Sequence, residues 1–289
     1  MDGDTRGVEE KPMKPQVIEV KQKYKDYLNN REGADTYNRF KEILYGTPDS
    51  LITRLLPEIA ARLKSEKIDI LDIGGGDGKR LRWIMELLKA SGIESRATLV
   101  DQSSAFIENL HRTIIDHKQQ YDIAPIHSSF EEFSSEKSFD LVMLVHSIYT
   151  FKDTQYISNI KKCLKKDGLL VIIADEPRGF LAKLKDITDK SYDTKRKDLD
   201  SVRTDLTSAG FVFEEQSSIT YYSDCIEHGK LNEDGKLIVS WIALRDYNDI
   251  PKDILDASIE HFRMSSRNGR IEDEESFLFV RFPNDETNP

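Results

Sequence analysis

Two apolar rhythms divide the chain. From Tyr24 to Leu63 apolar residues recur at helical spacing, first as Tyr37, Phe40, Ile43 and Leu44, then as Leu51, Leu55, Leu56 and Ile59, which predicts two amphipathic helices. Gly46-Thr-Pro-Asp-Ser50 supplies the break and an N-cap for the second. From Ile68 short apolar runs alternate with amphipathic stretches. Strands are predicted at 68–73, 97–101, 124–127, 139–145 and 168–174, and helices near 78–91, 103–118 and 155–165. Such alternation means βαβ units and a largely parallel sheet, so the fold class is α/β. Beyond Asp175 the rhythm loosens into helices near 180–190, 196–209, 236–246 and 251–264, with strands at 211–221 and 275–282. Residues 1–18 carry Pro, Lys and Glu without periodicity and read as a disordered tail.

The first strand breaks into glycines. IDILDIGGGDGK, residues 68–79, places Gly74, Gly76 and Gly78 where a buried strand turns sharply beneath a nucleotide-like ligand. A dinucleotide fingerprint needs its third glycine one position later, where Lys79 stands, and no G-x-x-x-x-G-K-[ST] phosphate loop is present. The turn resembles motif I of the class I S-adenosylmethionine-dependent methyltransferases, in which glycine backbone lies against the methionine portion of the cofactor. Asp101 ends the second strand, 27 residues beyond Gly74. An acid there can accept hydrogen bonds from two ribose hydroxyls, or it can cap the following helix. Ser128 and Ser129 follow the third strand; the resemblance implies that this loop meets the adenine, where either hydroxyl could read its amino edge, the alternative being solvated loop serines. His146 and Tyr149 follow the fourth, facing both cofactor and acceptor. His146 is the candidate for orienting or deprotonating a nucleophile, and Tyr149 for supplying a ring near a cation.

Charge and cysteines narrow the picture. A formal net charge of -10 without a long basic run leaves no electrostatic footprint for nucleic acid. Cys163 and Cys225 form no C-x-x-C pair or Cys/His cluster, so neither a metal site nor a disulfide framework is expected. No signal-peptide core or membrane-length apolar run occurs, which predicts a soluble, cytoplasmic protein acting on a small molecule, a monomer with a dimer as the alternative.

With these residues in hand the chain resembles histamine N-methyltransferase and its relatives. ILDIGGGDG is similar to the cofactor loop of that family, LVHSIYTFKD to its segment after strand four, and KDLDSVRTDLTSAGFVFEE with YYSDCIEHGKLNEDGKL to a distinctive later region. The resemblance implies a seven-stranded, Rossmann-like methyltransferase sheet closed by an antiparallel hairpin. It also implies a helical lid over 19–66 and a methyltransferase domain over 67–289 with a substrate-binding insertion at about 176–270. S-adenosyl-L-methionine would be held by Gly74, Gly75, Gly76, Asp101, Gln102, Phe106, Ser128, Ser129 and Val145. Acceptor contacts would come from Asp49, His146, Tyr149, Phe180, Trp241 and Asp273, with His146 and Tyr149 catalytic. At three acceptor positions the family carries Glu, Gln and Asn, where this chain has Asp49, His146 and Asp273. A site built on different donors rejects the family's own substrate, so an amine other than histamine is expected. The alternatives are a small-molecule O-methyltransferase of specialised metabolism and a non-catalytic binding protein on the same fold.

Overall fold

The computed structural model describes residues 26–282, apart from 30, 46–49, 64, 117–120, 152 and 193–195. The N-terminal tail and Asp49 lie outside the described residues. Two helices, α1 (Arg31–Tyr45) and α2 (Ser50–Arg62), precede the sheet. Then come β1 (Lys67–Ile73), α3 (Lys79–Ala90), β2 (Glu94–Asp101), α4 (Ser104–Asp116), β3 (Ile123–His127), β4 (Phe139–Val145), α5 (Gln155–Cys163) and β5 (Leu164–Asp175). The remainder is α6 (Phe180–Asp189), α7 (Leu199–Ser208), β6 (Val212–Ser223), the short ladder β7 (Ile226–Glu227) and β8 (Lys230–Leu231), α8 (Glu233–Ala243), α9 (Lys252–Ser265) and β9 (Arg270–Arg281).

Seven strands form one sheet in the order β3-β2-β1-β4-β5-β9-β6. The first five run parallel, and β9 is antiparallel to both β5 and β6. The expected hairpin edge is therefore present. Strand alternation decides which side chains enter which core: Ile70, Leu141, Met143 and Val171 face α2, α3 and α4, whereas Leu71, Val142, Leu144 and Ile172 face α5 and α7. Both faces are covered, which is why these strands read as unbroken apolar runs.

A third core lies beyond the carboxyl ends of the parallel strands. Phe40 and Leu44 of α1, Leu181 and Leu184 of α6, Trp241 and Ile242 of α8, and Ile254 and Phe262 of α9 pack there together. Leu184 fills a position in this core. The link to the sheet includes polar contacts, since Ser103 donates to the Leu28 carbonyl and the Asn29 side chain accepts from the Ser104 amide at the start of α4. Chain order reverses between β1 and β4, and α1, α6 and α8 roof the crevice that this reversal opens.

Candidate active site

The glycine turn is held by three neighbours. Gly74, Gly76 and Gly78 all take left-handed φ values, 70°, 62° and 69°, which L side chains resist. The Gly74 amide donates to Val100 O at 2.7 Å, and a Cβ on Gly74 would sit 2.5 Å from Ser147 Cβ. A Cβ on Gly78 would meet Leu110 of α4 at 2.9 Å, so this glycine packs strand turn against helix. At Gly76 the nearest atoms belong to Tyr37 and Phe106, 3.7 and 3.9 Å away, and the backbone there opens towards a ligand.

Asp101 braces that turn from β2. Its Oδ2 accepts from the Gly76 amide at 2.9 Å and its Oδ1 from the Ser103 amide at 2.8 Å, so one carboxylate fixes the glycine turn and the entry to α4 at once. The bond from the Ser103 amide is the helix-entry contact expected of Asp101, and each oxygen keeps a second lone pair. Burial pushes its pKa upward against the two amides. Asp72, at the end of β1, is pushed up to about 7 by burial and by Asp101.

A cleft of about 1000 Å³, open to solvent, runs from this turn across the strand ends. Gly74, Gly76, Asp101, Gln102, Phe106, Ser128, Ser129, His146, Tyr149 and Trp241 all line it. Gly75 and Val145 instead line a small recess behind the turn. Phe180 and Asp273 lie away from the cleft: Phe180 stacks on His261, centroids 4.6 Å apart, and Asp273 sits beneath the α6 N-terminus with the Leu181 amide at 3.4 Å. From α6 it is Leu181 and Lys185, one turn apart, that reach the cleft. Tyr37 and Phe40 of α1 complete its wall against Trp241, with centroids 4.6 and 5.7 Å from the indole.

The floor of the cleft is a compact charged group. His146 has φ 52°, an uncommon conformation for a side-chain-bearing residue, and its amide donates to Ile173 O at 2.9 Å. Nε2 of the ring lies 3.2 Å from Glu275 Oε1, and Nδ1 lies 3.5 Å from Asp175 Oδ1 and 3.4 Å from the Tyr149 hydroxyl. Tyr149 donates to Asp175 Oδ2 at 2.7 Å and accepts from the Asp175 amide at 3.1 Å. Lys185 binds the same Oδ2 and sits 3.4 Å above the Tyr149 ring, so the cation on that face is part of the protein. Although burial raises Asp175, Lys185 and His146 hold it below the usual carboxylate range. Burial lifts the Tyr149 phenol far above its ordinary value, with Asp175 adding to the rise, which keeps it a neutral donor. Donor atoms of His146, Asp175 and Glu275 lie within 4.8 Å of one another and could hold a metal ion, with Lys185 already supplying positive charge on Asp175.

Burial pushes Asp273 up to about 8, with Asp175 and Glu275 adding to the rise. Between about pH 4 and about pH 8 the folded chain keeps a proton there that an unfolded aspartate has lost, so this group withdraws stability as pH rises through that window. Asp273→Asn is expected to melt higher than the parent, by a margin that widens up to about pH 8 and then levels. A margin independent of pH in thermal melts would mean that Asp273 titrates normally.

Sequence reasoning missed Tyr37, Phe40, Lys41, Arg80, Asp175, Lys185 and Glu275. Tyr37 and Phe40 had been assigned only to a helix face, yet the face they share is the one that roofs the cleft. Asp175 ends a strand, the position that singled out Asp101. Glu275 was hidden in the charged run RIEDEE, where β9 alternates Ile271, Asp273 and Glu275 inward.

Comparison with known proteins agrees with this geometry. A family described as a methyltransferase domain matches residues 40–216. A highly reducing polyketide synthase of Aspergillus luteorubrus is 30% identical over 129 residues, 40% of this chain and 4% of that protein. The chain spans 4% to 7% of the length of the curated relatives it matches. Among solved structures, phosphoethanolamine N-methyltransferase 2 of Haemonchus contortus, in complex with phosphomonomethylethanolamine and S-adenosylhomocysteine, superposes with a TM-score of 0.58. It is 16% identical, with 93% of this chain and 61% of that one covered. Magnesium protoporphyrin IX methyltransferase of Synechocystis, with bound S-adenosylhomocysteine, gives 0.57 at 12% identity, covering 90% and 99%. At such identities the superpositions speak for the fold. No helix among the described residues is long and apolar enough to cross a membrane. A family match over more than half of its length, on a seven-stranded sheet of this order, makes the chain a member of the class I methyltransferases, with S-adenosyl-L-methionine as methyl donor.

Proposed function

We propose that the protein methylates a nitrogen of a small amine, cationic or imidazole-type in its free form, by direct in-line transfer. The observation that carries this reading is the floor of the cleft, where His146 stands between Asp175 and Glu275 opposite the aromatic wall of Tyr37, Phe40 and Trp241. The floor sets two carboxylates against the single lysine Lys185, and that balance and the aromatic faces suit a cationic ligand.

The cofactor fits the residues present. Asp101 and Gln102 would meet the ribose, Ser128 and Ser129 the adenine, and the open backbone at Gly76 the amino-acid half. Phe106 would pack beside them. Bound there, S-adenosylmethionine supplies a methyl already activated on a sulfonium. What remains for the protein is to place the acceptor and to keep its nucleophilic atom unprotonated. Glu275 would fix Nε2 of His146, leaving Nδ1, the more loosely held nitrogen, to take a proton from the acceptor. Tyr149 acts here by orienting Asp175 through its hydroxyl. In this reading α1 and α2 serve as the lid and residues from about 176 to 270 as the acceptor-binding insertion.

A second reading, transfer to oxygen or carbon, is favoured by the polyketide synthase relatives and by the same His146 and Asp175 pair, which suits a weakly acidic acceptor. A panel of amines, imidazoles, phenols and β-keto esters assayed with methyl-labelled cofactor separates the two. Turnover confined to phenols or carbon acids would overturn the amine assignment.

A further inference from the structure

Two cations converge on the glycine turn from different elements. Lys41 stands one helical turn beyond Tyr37 on α1, with Nζ 4.5 Å from the Tyr37 ring centroid and 3.6 Å from Asp77 Oδ1 in the turn itself. Arg80, only 8% exposed, enters from the first turn of α3 and borders both the main cleft and the recess behind Gly74. Lys79 adds a third positive charge, 3.8 Å from Glu42 towards the surface. Near the turn the acids are Asp77, which faces Lys41, Asp101, whose oxygens accept the Gly76 and Ser103 amides, and Asp72, which at about 7 carries only part of a charge near neutrality. Lys41 and Arg80 thus bring two cations to the wall of the cleft beside Gly74 and Gly76. Burial pulls the Lys41 ammonium below the usual lysine range, with Asp77 opposing from a distance that leaves it incompletely solvated.

We propose that Lys41 and Arg80 form an anion subsite for the α-carboxylate at the amino-acid end of the cofactor, and that this contact fastens α1 across the cleft. Tyr37 and Phe40 ride on the same helix and meet Trp241. Cofactor binding therefore fixes in place the acceptor wall that Tyr37, Phe40 and Trp241 already form, and the acceptor binds best after it. The proposal rests on the cofactor assignment of the family and extends it to a helix outside the sheet.

Calorimetry with S-adenosylhomocysteine and with 5′-methylthioadenosine, which lacks the amino-acid end, tests the subsite. Lys41→Met should weaken S-adenosylhomocysteine roughly 10- to 100-fold and leave methylthioadenosine unchanged. Lys41→Arg should recover most of the loss, and Arg80→Leu should repeat the selective defect. Hydrogen exchange of residues 31–45 should slow with S-adenosylhomocysteine and not with methylthioadenosine. Equal weakening of both ligands by Lys41→Met would reduce Lys41 to a structural residue, and unchanged binding of both would remove the subsite. Unchanged exchange over 31–45 would remove the coupling to α1. Failure of the parent protein to bind either ligand would instead overturn the cofactor assignment beneath the proposal.

Discussion

Asp101→Ala is expected to weaken S-adenosylhomocysteine binding by roughly 100-fold or more while turnover at saturating cofactor falls far less. The carboxylate acts twice. It accepts the Gly76 and Ser103 amides, and its remaining lone pairs face the cleft where a ribose would lie. Each charge-assisted bond contributes about 1.5–3 kcal/mol, so alanine loses the ligand contacts and loosens the turn that receives the amino-acid half. Stability should drop by less than the two internal bonds suggest, because burial already opposes ionisation of this group. Asp101→Asn separates the roles. One amide oxygen can still accept from Gly76 or from Ser103, but its nitrogen must then face the other N–H. A melting temperature close to the parent's with cofactor affinity still lost would isolate the ribose contact. Unchanged affinity in both variants, measured by calorimetry, would take Asp101 out of the cofactor site.

The place of Asp101 in the cleft was legible in the sequence because it follows from position along one strand. The same holds for the sheet. Ile68 to Ile73 and Leu169 to Ala174 read as buried strands because both faces of the sheet are covered, and the glycine turn stands out because three left-handed residues in a row of five permit little else. Local patterns of this kind survive without knowledge of tertiary contacts. The ends of strands were read short for the complementary reason. β2 begins at Glu94 and β9 at Arg270, within charged runs that pair well at the sheet margin but carry no apolar signature.

The acceptor side depends on contacts between distant segments, and there the sequence was least informative. Phe180 was expected in the site, yet His261 and Phe262 from α9 draw it into the third core, and Leu181 takes the wall instead. Glu275 reaches His146 only because β9 inserts between β5 and β6, a pairing set by strand order across 100 residues of chain. Lys185 shares a helix face with Leu181, so its position becomes predictable once one member of that face is placed. Cleft residues at the ends of single strands were therefore legible one by one, whereas the wall formed by distant helices required the fold.

His146→Gln is expected to lower turnover of the true acceptor by roughly 100-fold or more, with cofactor affinity almost unchanged. Glutamine is the sharper test than alanine because alanine would leave Asp175 and Glu275 facing each other across an empty position, where like charges raise the cost of folding. The amide of glutamine can donate to one of those carboxylates and holds its place, but it cannot accept a proton at neutral pH. The left-handed backbone at His146 bears on the same comparison. Its φ of 52° aims the ring between β5 and β9 and is held by the amide bond to Ile173, an arrangement that any side chain at this position inherits. A defect confined to turnover therefore reports on the imidazole rather than on the strand end. Raising the pH should separate deprotonation from orientation. If His146 only removes a proton, the glutamine variant recovers activity as the free acceptor itself loses that proton, whereas an orienting role leaves the defect the same at every pH. Full turnover by His146→Gln at neutral pH would show that the acceptor arrives unprotonated and that the carboxylate floor alone positions it.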